Sequence, residues 1–462
     1  MKRFWLVLLS LGLIVAFSTS AMAVDVKFNG EYYAAGMYMD KTSLMKDQGP
    51  STAFYFQRLR LGTEFVVSPG LKLVTRADIM ERAWGATRTS ATATATDPIT
   101  GVISIAQQDV MSAGTRSENE NVAFDLLYVS YVSPIGMFNV GYQIDDVWGT
   151  VCGNSSNPKG KIAYYFKTGG LTLVLQAGKD KELSRSVTNP NGDTDKDQSF
   201  YTAAGVYSWK TGEAGILFKY IKNNQYRNIA NTPLTPDAGF TWDGLISTPY
   251  VKAKLGPVDL QAQIYYLYGE QSWEGNTTLI GNPQDIDVSQ LSGWIDATVD
   301  LGKFYIGASL AYVSGDDPDT LDEKEGGNLT GGLDYNPCLI MFNSDLNYWT
   351  GNLAGHDGSV NNGPMSNAYF AQLRAGVKPI DKLDIMLSGS YATADKTPQA
   401  VWDSREYGYE IDLTATYKIT NNLSYMVGGG YWMVGDYYKG TAANGQDVDD
   451  NYISLNKLTL TF

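Results

Sequence analysis

Residues 458–462 read Leu458-Thr459-Leu460-Thr461-Phe462, an alternation of apolar and polar side chains that stops on an aromatic ring. Such alternation is typical of a β-strand with two unlike faces. Upstream, Ile453 and Leu455 fall out of phase with Leu458, so we expect a β-bulge near Asn456 and Lys457. The stretch predicts a chain built from two-faced strands.

The same alternation recurs along the whole chain, and the links between the alternating stretches are by turns short and long. The short links contain Pro, Gly and Asn, which supply the backbone angles that tight turns require. Eight short and nine long links predict 18 strands, or about 16 if the hairpin around 199–222 is misread. The long links are expected near 39–53, 83–121, 146–159, 180–198, 223–247, 270–288, 314–367, 395–406 and 437–450.

The N-terminal residues have the pattern of a secretory signal peptide. Lys2 and Arg3 precede the apolar stretch 4–17, and Ala21-Met22-Ala23 provides a small-residue cleavage site. We predict cleavage near Ala23, which leaves residues 24–462 as a single domain. The sequence contains no other apolar run of the roughly 18–20 residues that a membrane-spanning helix needs, so a helical inner-membrane protein is excluded.

Composition agrees with strands that face lipid on one side and water on the other. Only 44% of residues are hydrophobic and the mean hydropathy is −0.21, yet the chain has 31 Tyr and 48 Gly. In a membrane barrel only alternate residues face lipid, and aromatic residues gather at the two interfaces. We therefore predict an all-β, antiparallel up-and-down transmembrane barrel with short periplasmic turns and long extracellular loops.

The Ala21-Met22-Ala23 site, the alternating strands with tight turns, and the final stretch Leu458–Phe462 resemble the Gram-negative outer-membrane porin superfamily. The strand number and the stretch Ser314–Pro318 are also similar to the 18-stranded alginate-export-like barrels. The resemblance implies an outer-membrane location, contact with lipid and lipopolysaccharide, and a homotrimer. It also implies that Phe462 is a signal for the barrel-assembly machinery.

Charged residues on one face of several strands predict a water-filled interior. A Lys or Arg on the lipid face costs about 2–4 kcal/mol at the bilayer midplane, so charged faces belong inside the barrel. The predicted pore-lining residues are Arg58, Arg60, Glu64, Lys72, Arg76, Asp78, Asp296, Arg374, Glu410 and Asp412. Arg58, Arg60 and Arg76 form either a basic stripe that orients anionic solutes or a cross-strand ladder of ion pairs.

The 314–367 link carries more apolar residues than an external loop needs, so we expect it to fold inward or to pack on the rim. Its candidate constriction or lid residues are Asp316, Asp317, Asp319, Tyr348 and Trp349. The three carboxylates could bind Ca²⁺, contact lipopolysaccharide through shared cations, or be merely solvated.

The two cysteines, Cys152 and Cys338, fall in predicted extracellular loops, where they could form a disulfide or remain free thiols.

The residue inventory argues against an enzyme and against a nucleic-acid partner. The formal net charge is −14, and His356 is the single histidine, with no recognisable catalytic neighbour. We predict no cofactor apart from the possible Ca²⁺. The predicted function is an outer-membrane channel for passive diffusion of small hydrophilic solutes or ions. The alternatives are a substrate-specific channel and a barrel that houses a partner such as a cytochrome.

Overall fold

The computed structural model describes residues 24–85, 92–96, 103–107, 122–183, 195–227, 239–274, 284–332, 334–443 and 445–462. The predicted signal peptide, residues 1–23, lies outside the described residues.

Eighteen strands form the wall of the molecule. In chain order they are β1 Asp25–Met39, β2 Thr52–Ser68, β3 Leu71–Ala83, β4 Val122–Ser133, β5 Gly136–Ile144, β6 Pro158–Thr168, β7 Leu171–Lys181, β8 Gln198–Trp209, β9 Gly212–Asn223, β10 Gly239–Leu255, β11 Val258–Glu274, β12 Ile286–Asp300, β13 Phe304–Val313, β14 Ala368–Ile380, β15 Leu383–Ala394, β16 Glu406–Lys418, β17 Leu423–Val434 and β18 Asn451–Thr461.

Each strand pairs antiparallel with its neighbours in sequence, and the sheet closes on itself. The closing pair is β1 with β18, in a register that runs from Glu31 opposite Thr461 to Met39 opposite Ile453. Closure removes the free edges, so every wall strand is hydrogen-bonded on both sides. The predicted 18-stranded up-and-down barrel is confirmed.

The links alternate between tight turns and long loops, as the turn residues predict. Gly70 and Gly256, in two of the tight turns, have φ of +80° and +63°, which few other residues adopt at low cost. The predicted loop over 223–247 is wrong in its second half, because β10 already begins at Gly239. There the Phe240 ring packs 4.8 Å from Tyr226 and 5.5 Å from Trp273, which extends this hairpin beyond the predicted strand end.

The bulge predicted near Asn456 and Lys457 is also wrong. The register of β18 with β1 and with β17 continues through both residues without a shift. Ile453 and Leu455 therefore point into the barrel by the ordinary alternation. They are apolar there because part of the interior is packed with protein, as described below.

The outer surface is apolar and carries a row of aromatic residues. Ile411 and Leu413 on β16 and Leu387 on β15 are each about half exposed on this surface. Tyrosine rings contact one another across strands at the long-loop end, in the pairs Tyr312–Tyr369 (4.9 Å), Tyr391–Tyr409 (4.7 Å) and Tyr38–Tyr452 (5.9 Å). An apolar band bordered by aromatic rings is the surface that a bilayer and its interface require.

Smaller elements lie in the long loops. The helix α1 spans Ser344–Thr350, and 3₁₀ turns span Val151–Gly153 and Asp436–Lys439. The short strands are Thr92–Thr96 with Ile103–Gln107, Asn328–Leu329 with Met365–Ser366, Leu353–Ala354 with Val360–Asn361, and Glu323–Lys324 parallel to β12. Within the described part of the chain, no helix has the length and apolar character needed to cross a membrane.

Candidate functional site: the lumen and its inward loops

Residues 314–367, here called the inner loop, enter the barrel and pack against its wall. Ile340, Met341 and Met365 are completely buried, and Trp349 lies with its ring centroid 4.3 Å from that of Phe56 on β2. The Asn343 side chain caps α1 by accepting a hydrogen bond from the Leu346 backbone N–H at 2.7 Å. Trp349 is therefore part of the packed contact between this loop and the barrel wall. A residue that constricts the pore would instead be exposed in the lumen.

The wall supplies an apolar seat for the inner loop. Inward-facing apolar residues from strands at both ends of the chain form one continuous core with the loop, and they are Tyr33, Ala35, Met37, Met39, Phe56, Trp294, Ala311, Val313, Ala368, Phe370, Ala392, Ala394, Trp432 and Ile453. In a water-filled channel these positions would be polar. The apolar residues therefore mark the part of the wall that the loop covers.

Glu410 and Asp412, predicted as pore-lining residues, lie beneath the inner loop. The Glu410 carboxylate accepts hydrogen bonds from the backbone N–H groups of Ile340 and Met341, both at 2.7 Å. Asp412 accepts from the Leu339 N–H at 3.4 Å. The pore-lining prediction is corrected here: the residues face inward, but the loop backbone separates them from the lumen.

Residues 145–157, the second inner loop, cover part of the wall formed by β9–β11. The Trp148 ring packs edge-on against Tyr250 at 5.2 Å, and Thr150 donates its backbone N–H to the Gln263 side chain at 2.9 Å. Asp145 lies between the ammonium groups of Lys159 and Lys219, which hold the pKa of this carboxyl below its usual range although burial opposes that. Sequence reasoning placed this loop outside, and the available signal for its inward position was the large apolar side chain of Trp148 in a long link.

The two inner loops meet inside the barrel. The Asn154 side-chain amide donates to the Asp334 carboxylate at 3.2 Å, which joins the tip of one loop to the other. A cavity of about 450 Å³ remains between this junction and the wall formed by β18 and β1–β3. Its charged lining consists of Glu31, Arg58, Arg60, Arg76, Asp334, Asp345 and Lys457. The lumen is therefore narrow and ionic where the loops cross it.

The arginines that face this cavity belong to a ladder of cross-strand ion pairs. Arg60 binds Asp78 through two hydrogen bonds of 2.7 Å each. Lys72 binds Glu64 at 2.6 Å, and Arg58 lies 3.5 Å from Glu81. Of the two interpretations left open by the sequence, the structure contains the ladder.

Arg76 pairs with Asp125 of β4, a residue that sequence reasoning missed. The register between β3 and β4 shifts between Arg76 and Ala77, which breaks the simple alternation around Asp125. This bulge turns the Asp125 carboxylate inward to the arginine. The run Phe124-Asp125-Leu126-Leu127 was the available signal, because its alternation fails at that point.

Arg374 and Lys457 differ in whether a carboxylate neutralises their positive charge. Arg374 donates to Asp296 at 2.6 Å and to the Ser309 hydroxyl at 2.7 Å, so this predicted pore-lining pair is also internally neutralised. The Lys457 ammonium lies 4.5 Å from the centre of the Tyr33 ring and forms no ion pair within the described part of the chain. Lys457 is thus the lining cation whose charge is least compensated.

Two carboxylates at the start of the inner loop already have partners in the protein. Asp316 accepts the Glu325 backbone N–H at 2.8 Å, and Asp317 binds Lys396 at 2.6 Å. The Lys396 hydrogen bond lowers the pKa of Asp317. Asp319 is exposed, and Tyr348 stacks edge-on against Trp349 at 5.1 Å. Ca²⁺ at Asp316, Asp317 and Asp319 stays a prediction.

Cys152 and Cys338 are both free and buried. Of the two alternatives, the structure contains the free thiols. Cys152 does not lie outside the barrel as predicted, whereas the position of Cys338 agrees with the predicted inward fold of 314–367. Each cysteine lies on a loop that folds into the barrel. Burial raises the pKa of the Cys152 thiol, which keeps it protonated at neutral pH.

His356 is held by contacts that involve backbone oxygens. Its ring Nε2 lies 3.2 Å from the Asp447 carbonyl oxygen, and the nearby Ser359 hydroxyl donates to the His356 backbone oxygen at 2.8 Å. A serine nucleophile would need to be hydrogen-bonded to the ring instead.

A closed barrel with an apolar outer band is the architecture of an outer-membrane protein, and this chain has that architecture. No family model matches the chain, and no curated protein matches it.

Solved porin structures are similar over nearly the whole length. OccK11 (OpdR) of Pseudomonas aeruginosa has 13% identity and a TM-score of 0.49, covering 95% of this chain and 96% of that one. A BenF-like porin from Pseudomonas fluorescens Pf-5 has 11% identity, a TM-score of 0.46 and coverages of 94% and 99%. An anion-selective porin from Comamonas acidovorans has 10% identity, a TM-score of 0.43 and coverages of 95% and 99%. At such identities and TM-scores, the comparison assigns this chain no substrate.

Proposed function

We propose that the protein is a passive outer-membrane channel in which small hydrophilic solutes pass between the inner loops and the β1–β3 wall. The observation that carries this proposal is the cavity of about 450 Å³ with its charged lining, which we take as part of the solute path and call the passage. A packed structural barrel would exclude water from this region, whereas ionic side chains on both sides keep it hydrated.

The narrowness of the passage favours selection among solutes over general diffusion. Arg58, Arg60, Arg76 and Lys457 line it from the wall, and Asp334 and Asp345 line it from the inner loop. The wall arginines are paired, so the net field depends on Lys457 and on the loop carboxylates. A barrel that houses a partner protein is less well supported, because the chain's own loops already occupy the interior.

The test is single-channel conductance in a planar bilayer, with the reversal potential measured in a salt gradient. We expect small, stable current steps. Lys457→Gln should shift the reversal potential toward cation preference, because it removes the uncompensated positive charge. The control is Lys382→Gln in the β14–β15 turn, which removes an exposed lysine far from the lining and should change nothing. Folded protein that inserts without passing current would refute the channel.

The resemblance of the sequence to the porin superfamily supports three further proposals. They are trimer formation, contact with lipopolysaccharide, and recognition of Phe462 by the assembly machinery. Phe462 pairs its backbone with Gly30 at 2.9 and 3.0 Å, which joins the last residue to β1.

A further inference from the structure

Three potential metal ligands meet where the inner loop touches β16. The Cys338 sulfur, one Glu410 oxygen and one Asp412 oxygen all lie within 4.8 Å of one another. The exposed fractions of the three residues are 2%, 0% and 3%. No other group of three such ligands with this spacing occurs in the ranges that the structure describes.

The two carboxyl groups lack a balancing charge. One oxygen of Glu410 and one of Asp412 lie within 4.8 Å of each other, and no Lys or Arg forms an ion pair with either in the described ranges. The Asp412 Oδ1 atom is buried and has no hydrogen-bond partner. Two adjacent buried carboxyl groups require a cation between them, which is either a proton or a metal ion.

A metal ion uses more of this site than a proton does. A shared proton joins the two carboxyl groups but does not involve the Cys338 sulfur, which lies beside the Ser390 hydroxyl. Tetrahedral zinc places its sulfur and oxygen ligands about 3–4 Å from one another, given metal–ligand bonds of about 2.0–2.3 Å. A limit of 4.8 Å between the ligand atoms is within reach of such a sphere after small side-chain movements.

The surroundings also suit the charge of a metal complex. A thiolate and two carboxylates around a divalent ion leave one net negative charge. The backbone N–H groups of Leu339, Ile340 and Met341 point at the same two carboxylates and would stabilise that charge.

We propose that Cys338, Glu410 and Asp412 bind one divalent transition-metal ion of the zinc class. Binding releases the thiol proton and the proton shared by the carboxyl groups to solvent, while the metal gains one sulfur and two oxygen ligands and keeps a fourth position for water. Because Cys338 lies on the inner loop and the carboxylates lie on β16, the ion would fasten the loop to the barrel wall. This proposal does not depend on which solute the channel carries.

The site is buried, so the test loads metal during folding. The full chain is unfolded in urea and refolded into detergent with ZnCl₂ or with EDTA. Free metal is removed by gel filtration, zinc is counted by mass spectrometry, and heat-modifiable gel mobility identifies folded barrels. We expect one zinc ion for each folded wild-type chain. Cys338→Ser and Asp412→Asn should each lower the bound zinc about tenfold, and the control Cys152→Ser, which removes the other buried thiol, should retain it.

A Co²⁺ refold gives an independent readout in the wild-type protein if a variant does not fold. A thiolate-to-cobalt charge-transfer band in the near ultraviolet is expected, and its absence would overturn the proposal. Folded wild-type chains that contain no zinc would show that a proton alone bridges Glu410 and Asp412. Full zinc retention in both site variants would also refute the site.

Discussion

At the scale of single residues, the arginines that line the lumen are each paired with a carboxylate. Arg60 and Asp78 form a two-hydrogen-bond pair in which the Asp78 side chain is 7% exposed. Such a pair contributes little net field at the passage, because its two charges cancel at a distance. Removing one member exposes the other charge to every passing ion.

Neutralising the pair one residue at a time should therefore move ion selectivity in opposite directions. Arg60→Gln leaves the Asp78 carboxylate unpaired and should favour cations, whereas Asp78→Asn should favour anions. The double variant should return close to wild type. Reversal potentials of the three variants measure this, and equal shifts of the same sign would contradict the ladder.

The Trp349 side chain tests the seat of the inner loop. Trp349→Ala should remove the contact with Phe56 and cost about 3–5 kcal/mol of loop docking. We expect faster protease cleavage within 314–367 while the barrel keeps its heat resistance. Trp84→Ala is the matched control, because Trp84 is 55% exposed and stacks only on Tyr55 outside the seat. Equal cleavage rates in wild type and Trp349→Ala would show that the loop does not depend on this contact.

At the scale of elements, the long loops support one another at the rim. The loop 40–51 contacts the loop 435–450 through Lys41 with Asp449 and Lys46 with Asp447, here called the rim latch. The hydrogen bond to Lys41 lowers the pKa of Asp449, and the same bond raises the pKa of Lys41. Both groups lie outside the strands.

The signs of these shifts define the pH range of the rim latch. A lowered carboxyl pKa means that the contact is stable at neutral pH and is lost as the pH falls through that value, below about 4. A raised lysine pKa means that the contact persists up to about pH 10 and is lost above it. A spin label on Gln48→Cys should be immobile between these limits and mobile in acid. In Asp449→Asn it should already be mobile at neutral pH, and an unchanged spectrum would contradict the latch.

The elements also show which features a sequence can predict. The strands and their links follow from alternation and turn chemistry, which are local, so their number and order could be predicted. Asp125 was missed because a bulge interrupts the alternation that identifies inward residues. Glu410 and Asp412 were placed on the correct face, but what covers that face depends on a loop about 70 residues away in the chain. Contacts at that separation leave no local pattern, and Cys152 and Trp148 were misplaced for the same reason.

At the scale of the whole molecule, the inner loop is an insertion into an otherwise complete barrel. Leu329 pairs with Met365 in a short antiparallel ribbon, so the chain enters and leaves the interior at neighbouring points. The 18 wall strands hydrogen-bond to one another without help from the residues between these points. We therefore expect the barrel to fold without the inner loop.

Replacing residues 331–363 with a short Gly-Ser linker should keep the barrel and enlarge the channel. The expected result is a several-fold larger single-channel conductance with unchanged heat-modifiable mobility. A control exchange of residues 318–321, which are exposed apart from the half-buried Thr320, for a linker of equal length before the ribbon should leave conductance near wild type. A deletion variant that folds but conducts no better would mean that the inner loop does not limit flow.

The seat of the inner loop is shared between the two ends of the chain, since Tyr33, Ala35 and Met37 belong to β1 and Ile453 belongs to β18. This has a consequence for the order of folding. The seat is incomplete until β1 and β18 pair, so we expect the inner loop to reach its full set of wall contacts only after closure. Once it docks, it contacts both sides of the closing seam and slows the seam's reopening. The last step of folding is then also the step that makes the barrel kinetically durable.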